Sequence, residues 1–198
     1  MASSKLSAED RILEAAGRLF ATQGFEGASV REICKEADVS SNSIHYYFGN
    51  KEGLRDAILD KFRTGVFRNS ISIVEKEPTS REDVVARMEL LASETMDALQ
   101  ENRYAFMIVE REHLKLELFF DYAKALITFI ECGQERGFVR SEVDPQMITG
   151  LLFDRLGNQV KHADWIKSVT GDDIIGDEQY RNRWLKANLD IFLNGVLC

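Results

Sequence analysis

The chain has 198 residues, enough for one sizeable core or for a small domain joined to a larger one. Hydrophobic residues make up 44% and charged residues 29%, the make-up of a soluble globular protein. The net charge of −8 excludes indiscriminate binding of nucleic acid over the whole surface. No apolar run has the length to span a bilayer. Met1-Ala2-Ser3-Ser4-Lys5-Leu6 lacks the apolar stretch of a secretory signal, so no membrane association and a cytoplasmic location are expected. Cys34, Cys132 and Cys198 are odd in number and widely spaced, which gives neither a disulfide framework nor a zinc motif.

Apolar residues recur at three and four, and strand-like alternation is nearly absent, so the chain is expected to be all-α. The first helix is capped by Ser7, carries the stripe Ile12, Ala16, Leu19 and Phe20, and stops at Gly24. Ser29-Val30-Arg31-Glu32 is a capping box, and the short helix it opens buries Val30, Ile33, Cys34 and Ala37. After a tight turn at Asp38-Val39, Ser40 is expected to cap a third short helix with Ile44, Tyr47 and Phe48 inward. Asn50 is expected to cap a fourth helix from Lys51, predicted to run through Leu54, Ile58, Leu59 and Phe62 towards the seventies.

The second half begins after Pro78. Ser80 opens a helix with Val84, Met88, Leu91, Thr95 and Leu99 in phase. Further helices are predicted from Asn102 to about His113 and from Leu116 to about Glu135, the latter stopped by Gly137. Asp144-Pro145 is a strong start for a helix through Ile148, Leu151, Leu152, Leu156 and beyond. Gly171 to Gly176 is a loop, and Asp177 caps a last helix with Leu185, Leu189, Phe192 and Val196.

Two short helices joined by a tight turn and buttressed by a third form a helix-turn-helix. On the second of the pair, Ser41, Asn42, Ser43, His45 and Tyr46 face outward. Asn pairs with adenine, Ser reads several bases or phosphates, and Tyr reaches phosphate or a thymine methyl. Residues 1–62 are not basic, with 8 Lys+Arg against 10 Asp+Glu. Residues 39–51, however, hold no acid and end in Lys51. Periodicity alone leaves two readings open: a groove-facing surface, or a solvated polar helix with its aromatics in the core.

The order and spacing of these residues decide between them by resemblance. Ile12, Leu13, Ala15, Ala16, Leu19 and Phe20, Gly24-Phe25, Ser29 to Ile33 and above all Ala37 to Leu54, ending Tyr-Phe-x-Asn-Lys-Glu-x-Leu, are similar to the DNA-binding domain of the TetR family of transcriptional regulators. The resemblance implies an N-terminal three-helix helix-turn-helix domain at 7–67. A long helix would join it to a C-terminal helical ligand-binding and dimerisation domain at 68–198. It implies a DNA-binding regulator and not an enzyme: a ligand-responsive repressor that binds a palindromic operator in double-stranded DNA as a homodimer, without cofactor or metal. It places DNA contacts at Ser29, Ser40, Ser41, Asn42, Ser43, His45, Tyr46, Tyr47 and Lys51, with Ser29, Tyr47 and Lys51 on phosphates. Three positions depart from the usual pattern: Asp38 and Asn42 stand where glycine is common, and His45 where tyrosine is. Asp tolerates a left-handed turn better than most residues.

For the rest of the chain the resemblance implies dimer contacts along Ile148, Leu151, Leu152, Leu156, Leu185, Leu189, Phe192 and Val196. Packing within one subunit would give the same stripes. The middle helices are rich in large apolar groups, among which Phe67, Tyr104, Met107, Phe120 and Phe129 are candidates for the wall of a site for an apolar or aromatic small molecule. Two rival functions are weaker. Glu110 and His113 make one Glu-x-x-His, but a di-iron helical-bundle enzyme needs two copies. A helical interaction module that has lost DNA binding fits the acidic N-terminal charge, but not the uncharged outward side chains.

Overall fold

The structure, a computed structural model, describes residues 6–63, 66–114 and 117–197. Among these residues the elements are α1 (Ala8–Gln23), α2 (Val30–Glu36), α3 (Asn42–Phe48), α4 (Lys51–Arg63), α5 (Arg68–Val74), α6 (Arg81–Glu101), α7 (Arg103–Glu112), α8 (Glu117–Glu135), α9 (Pro145–Lys161), α10 (Ala163–Thr170) and α11 (Glu178–Val196). The only β-type pairing among them is an isolated bridge between Val139 and Leu197. None of the described helices is long and apolar enough to cross a membrane. Leu116, the expected start of the seventh predicted helix, and Cys198 lie outside the described residues.

Helix starts follow local capping chemistry. The Asp10 N–H donates to Ser7 Oγ at 3.0 Å. The Ser29 and Glu32 side chains satisfy each other's backbone N–H groups at 3.0 and 3.2 Å. Asn50 Oδ1 accepts from Gly53 N–H at 2.7 Å, Asp144 Oδ1 from Gln146 and Met147, and Asp177 Oδ1 from Tyr180. Such a cap contributes about 1 kcal/mol.

Two expected boundaries differ. Ser41, not Ser40, occupies the cap position of α3, and no side chain caps it. The fourth helix is described as far as Arg63, and residues 66–67 form a turn before a separate α5 at Arg68. The helix from Pro145 ends at Lys161, where His162 (φ −101°, ψ 13°) turns the chain into α10 without glycine or proline.

Helix contacts divide the chain into two compact units. One comprises residues 1–65 and 102–115, the other 66–101 and 116–198. In the first, α1 packs on α2, α4 and α7, and α3 on α2 and α4. Its core gathers Ile12, Ala16 and Phe20 with Ile33, Ile44, Leu54, Phe62, Phe106 and Ile108. Residues 102–115 therefore belong here rather than with the rest of 68–198. Gly17 makes the fit: a Cβ there would stand 3.2 Å from Tyr104 Cβ. The Arg111 guanidinium donates to the carbonyls of Ala21 and Thr22 at the end of α1.

In the second unit α6 packs on α5, α9 and α11, and α8 on α5 and α9. Its core holds Phe67, Met88, Leu91, Met96, Leu99, Leu126, Phe129, Leu152, Leu156 and Val160. A short hydroxyl chain crosses it. Thr95 Oγ1 donates to Ser70 Oγ and lies 3.2 Å from Tyr122 Oη, all three residues being buried. Burial pushes the Tyr122 phenol up to about 12, the hydrogen bond with Thr95 opposing it.

Candidate nucleic-acid interface

The turn between α2 and α3 is built on a left-handed residue. Asp38 has φ 51°. The Asp38 N–H reaches Lys35 O at 3.4 Å, and the Val39 N–H reaches Cys34 O at 3.0 Å. This pair of bonds closes a helix end that most often uses glycine. Asp38 adopts this left-handed conformation, which a short polar side chain tolerates better than most. Arg11, on α1, holds the turn from below. Its Nε donates to Ala37 O at 2.9 Å and its Nη2 to Asp38 O at 3.3 Å. Arg18 of α1 also pairs with Glu36 of α2.

The turn sets α3 on the surface with Ile44 as its single buried residue. Ser41, Asn42, His45 and Tyr46 are exposed, Tyr46 by 81%. Tyr47, expected inward, is 42% exposed, and Phe48 is half-buried. Ile44 is the one position of this short helix that is fully buried, and the flanking aromatics ride at the edge. Tyr47 meets Tyr46 edge-on, with ring centroids 4.9 Å apart. Ser43 is half-buried, and its hydroxyl lies 3.0 Å from that of Ser40.

The remaining predicted contacts are already engaged. The Ser29 hydroxyl donates to Glu32 Oε2 at 2.6 Å. That bond, followed by the one from the Ser29 N–H, holds the Glu32 carboxyl below its ordinary range. Lys51 Nζ lies 4.4 Å from the centroid of the Phe25 ring, and the Arg55 guanidinium 4.6 Å from the same centroid. The ring thus restrains the one cation of residues 39–51 at the start of α4. His45 Nδ1 lies 2.7 Å from Gly49 O. The roles of Arg11 and Phe25 were not read from the sequence. Arg11 and its acceptors are 26 and 27 residues apart, and no local pattern links them.

The candidates for a small-molecule wall are divided between the two units. Phe67 is buried among Phe119, Tyr122 and Phe153, with centroids 5.1 to 5.8 Å from its own. Phe129 is buried and lies under the Arg87 guanidinium. Phe120 is 62% exposed, and Tyr104 and Met107 sit half-buried on α7, in the other unit. The stripes assigned to a dimer contact are mostly spent inside one subunit: Leu152, Leu156, Leu185, Leu189 and Val196 are buried. Leu151 stays 53% exposed, and Ile148 and Phe192 are half-buried. Among the described residues no group of three or more His, Cys, Asp or Glu is placed to hold a metal ion.

Residues 12–58, spanning α1 to most of α4, match the family model described as "Bacterial regulatory proteins, tetR family". Over 207 aligned residues the chain is 29% identical to the HTH-type transcriptional repressor KstR2 of Rhodococcus jostii (strain RHA1), covering 98% of this chain and 93% of that protein. It is 28% identical over 149 residues to the A-factor receptor protein of Streptomyces griseus, covering 71% and 49%. Among solved structures, the ketosteroid transcriptional regulator KstR2 of Mycobacterium tuberculosis superposes with a TM-score of 0.75 at 20% identity, over 100% of this chain and 98% of that one.

Proposed function

The chain belongs to the tetR family of bacterial regulatory proteins and is a DNA-binding transcriptional regulator, and on that premise we propose that it represses by occupying a palindromic operator as a homodimer until a small molecule releases it. The observation that carries the DNA-binding part is α3 itself: an uncharged, exposed face of Ser41, Asn42, His45 and Tyr46, set by a hydrogen-bonded turn behind it. One such helix reads few base pairs. Two, about 34–36 Å apart in a dimer, read two half-sites. Ser29, Ser40, Ser43, Tyr47 and Lys51 flank the face and are assigned to the phosphates on either side.

In the second unit, the exposed Leu151 and the half-buried Ile148 and Phe192 are the residues of the predicted stripes that still offer surface to a partner copy. The core beside Phe67, Phe119, Tyr122 and Phe153 favours an apolar or aromatic effector. An effector that binds better to a form with mis-spaced recognition helices shifts the population off the operator. The protein acts in the cytoplasm, where its operator is. Selection of bound sequences from a random duplex pool tests this reading. It predicts an enriched palindrome with half-site centres one helical turn apart. A folded protein that enriches no sequence at low salt would refute it.

A further inference from the structure

We propose that His45 reads a base, by presenting a hydrogen-bond acceptor to the exocyclic amine of an adenine or a cytosine in the major groove. This rests on the operator-binding reading above and adds to it the kind of base that one position selects.

His45 is exposed and lies in the last turn of α3, three residues on from Asn42 and so on a neighbouring side of the same face. Its Nδ1 stands 2.7 Å from Gly49 O. A carbonyl oxygen only accepts, so Nδ1 is the nitrogen that carries the proton. The Gly49 N–H in turn donates to His45 O at 3.1 Å, which ties ring and helix end together from both sides. Gly49 turns its carbonyl back onto the ring at φ 77° and ψ −56°, a conformation that side chains other than glycine rarely adopt.

With the donor spent, a neutral imidazole has one group left, the Nε2 lone pair. Phosphate oxygens are acceptors too and make no hydrogen bond with it. The donors that the major groove displays are N6–H₂ of adenine and N4–H₂ of cytosine. The strap to Gly49 therefore fixes the polarity of the recognition group, and that polarity selects two of the four bases.

Bound sequences are to be selected with the wild-type chain, His45→Ala and His45→Tyr. The expected result is an A or C preference at one position of each half-site for the wild type. His45→Ala keeps the palindrome and loses that preference, and His45→Tyr, which presents an O–H, does not restore it. On the wild type's own best duplex, replacing that base by purine or by pyrimidin-2-one, which lack the amine, weakens wild-type binding about tenfold and His45→Ala less than twofold. The wild-type half of this second arm does not depend on how any variant folds. A His45→Ala motif unchanged at every position, with affinity uniformly lower and a smaller salt slope, overturns the proposal in favour of a phosphate contact. Equal binding by wild type and His45→Ala overturns it in favour of a solvated ring. A wild-type chain that selects no sequence at all overturns the DNA reading, and this proposal with it.

Discussion

Arg11 is the clearest case of a residue that acts on the turn before α3 through backbone carbonyls. Arg11→Ala removes the bond to Ala37 O (2.9 Å), the longer one to Asp38 O (3.3 Å) and one to Leu6 O (3.2 Å). Bonds from a charged donor contribute about 1.5–3 kcal/mol when buried. The Ala37 bond is part-buried and the other two exposed, so about 1–1.5 kcal/mol for the first and a few tenths for each of the others is reasonable. The loss of about 1.5–2 kcal/mol against local opening corresponds to roughly 10–30-fold. Native-state hydrogen exchange reads it at the Val39 amide, whose bond to Cys34 O closes the turn. Arg11→Lys should recover less than half of the protection, because an ammonium lacks the fork that spans two carbonyls. Val39 protection within twofold of wild type in the Ala variant, or fully restored in the Lys variant, would show that Arg11 does not hold the turn.

Three further outcomes follow from single contacts. Ser29→Ala should return the Glu32 carboxyl towards the ordinary glutamate range, followed by carboxyl-carbon NMR. In the wild type, the capping-box stabilisation is present above that ordinary value and is lost as pH falls through the lowered one; an unchanged Glu32 titration would count against the box. Tyr122, buried and raised to about 12, stabilises the second unit below the ordinary tyrosine value near 10, and that contribution is lost as pH rises from about 10 through 12. Tyr122→Phe should therefore flatten alkaline denaturation in this window while costing about 1 kcal/mol at neutral pH for the lost Thr95 bond; a profile parallel to wild type contradicts it. Lys51→Gln should weaken all duplexes alike and reduce the slope of log affinity against log salt by about 0.9 per subunit; a change in the selected motif would instead make Lys51 a base reader.

What could be read from the sequence was what is local. The caps at Ser7, Ser29, Asn50, Asp144 and Asp177 close bonds to residues two or three positions on, so spacing alone displays them. The left-handed turn at Asp38 and the outward side of α3 follow from the same short range. Periodicity tells that a face is buried but not what buries it. Ala105, Phe106, Ile108 and Val109 gave α7 an apolar face, yet nothing local says that its partners are α1 and α4. Leu152, Leu156, Leu185 and Leu189 were apolar in phase whether they met a second subunit or their own core. Phe67 and Phe120 looked alike as aromatics, and one is a core ring while the other lies on the surface. The candidate interface was legible in its residues and less so in its supports. Arg11 and Phe25 act across loops, by contacts that depend on the fold being made first.

The most direct test is the ratio of affinities for the selected operator and for an unrelated duplex, measured with the wild-type chain and with Asn42→Ala, Tyr46→Ala. Both side chains are exposed, so the doubly substituted protein should stay folded and keep its oligomeric state. The wild type should prefer the operator by a factor on the order of 10³ or more, and the variant should bind both duplexes with nearly equal, weak affinity. A variant that keeps the wild-type ratio would mean that α3 is not the element that reads the DNA.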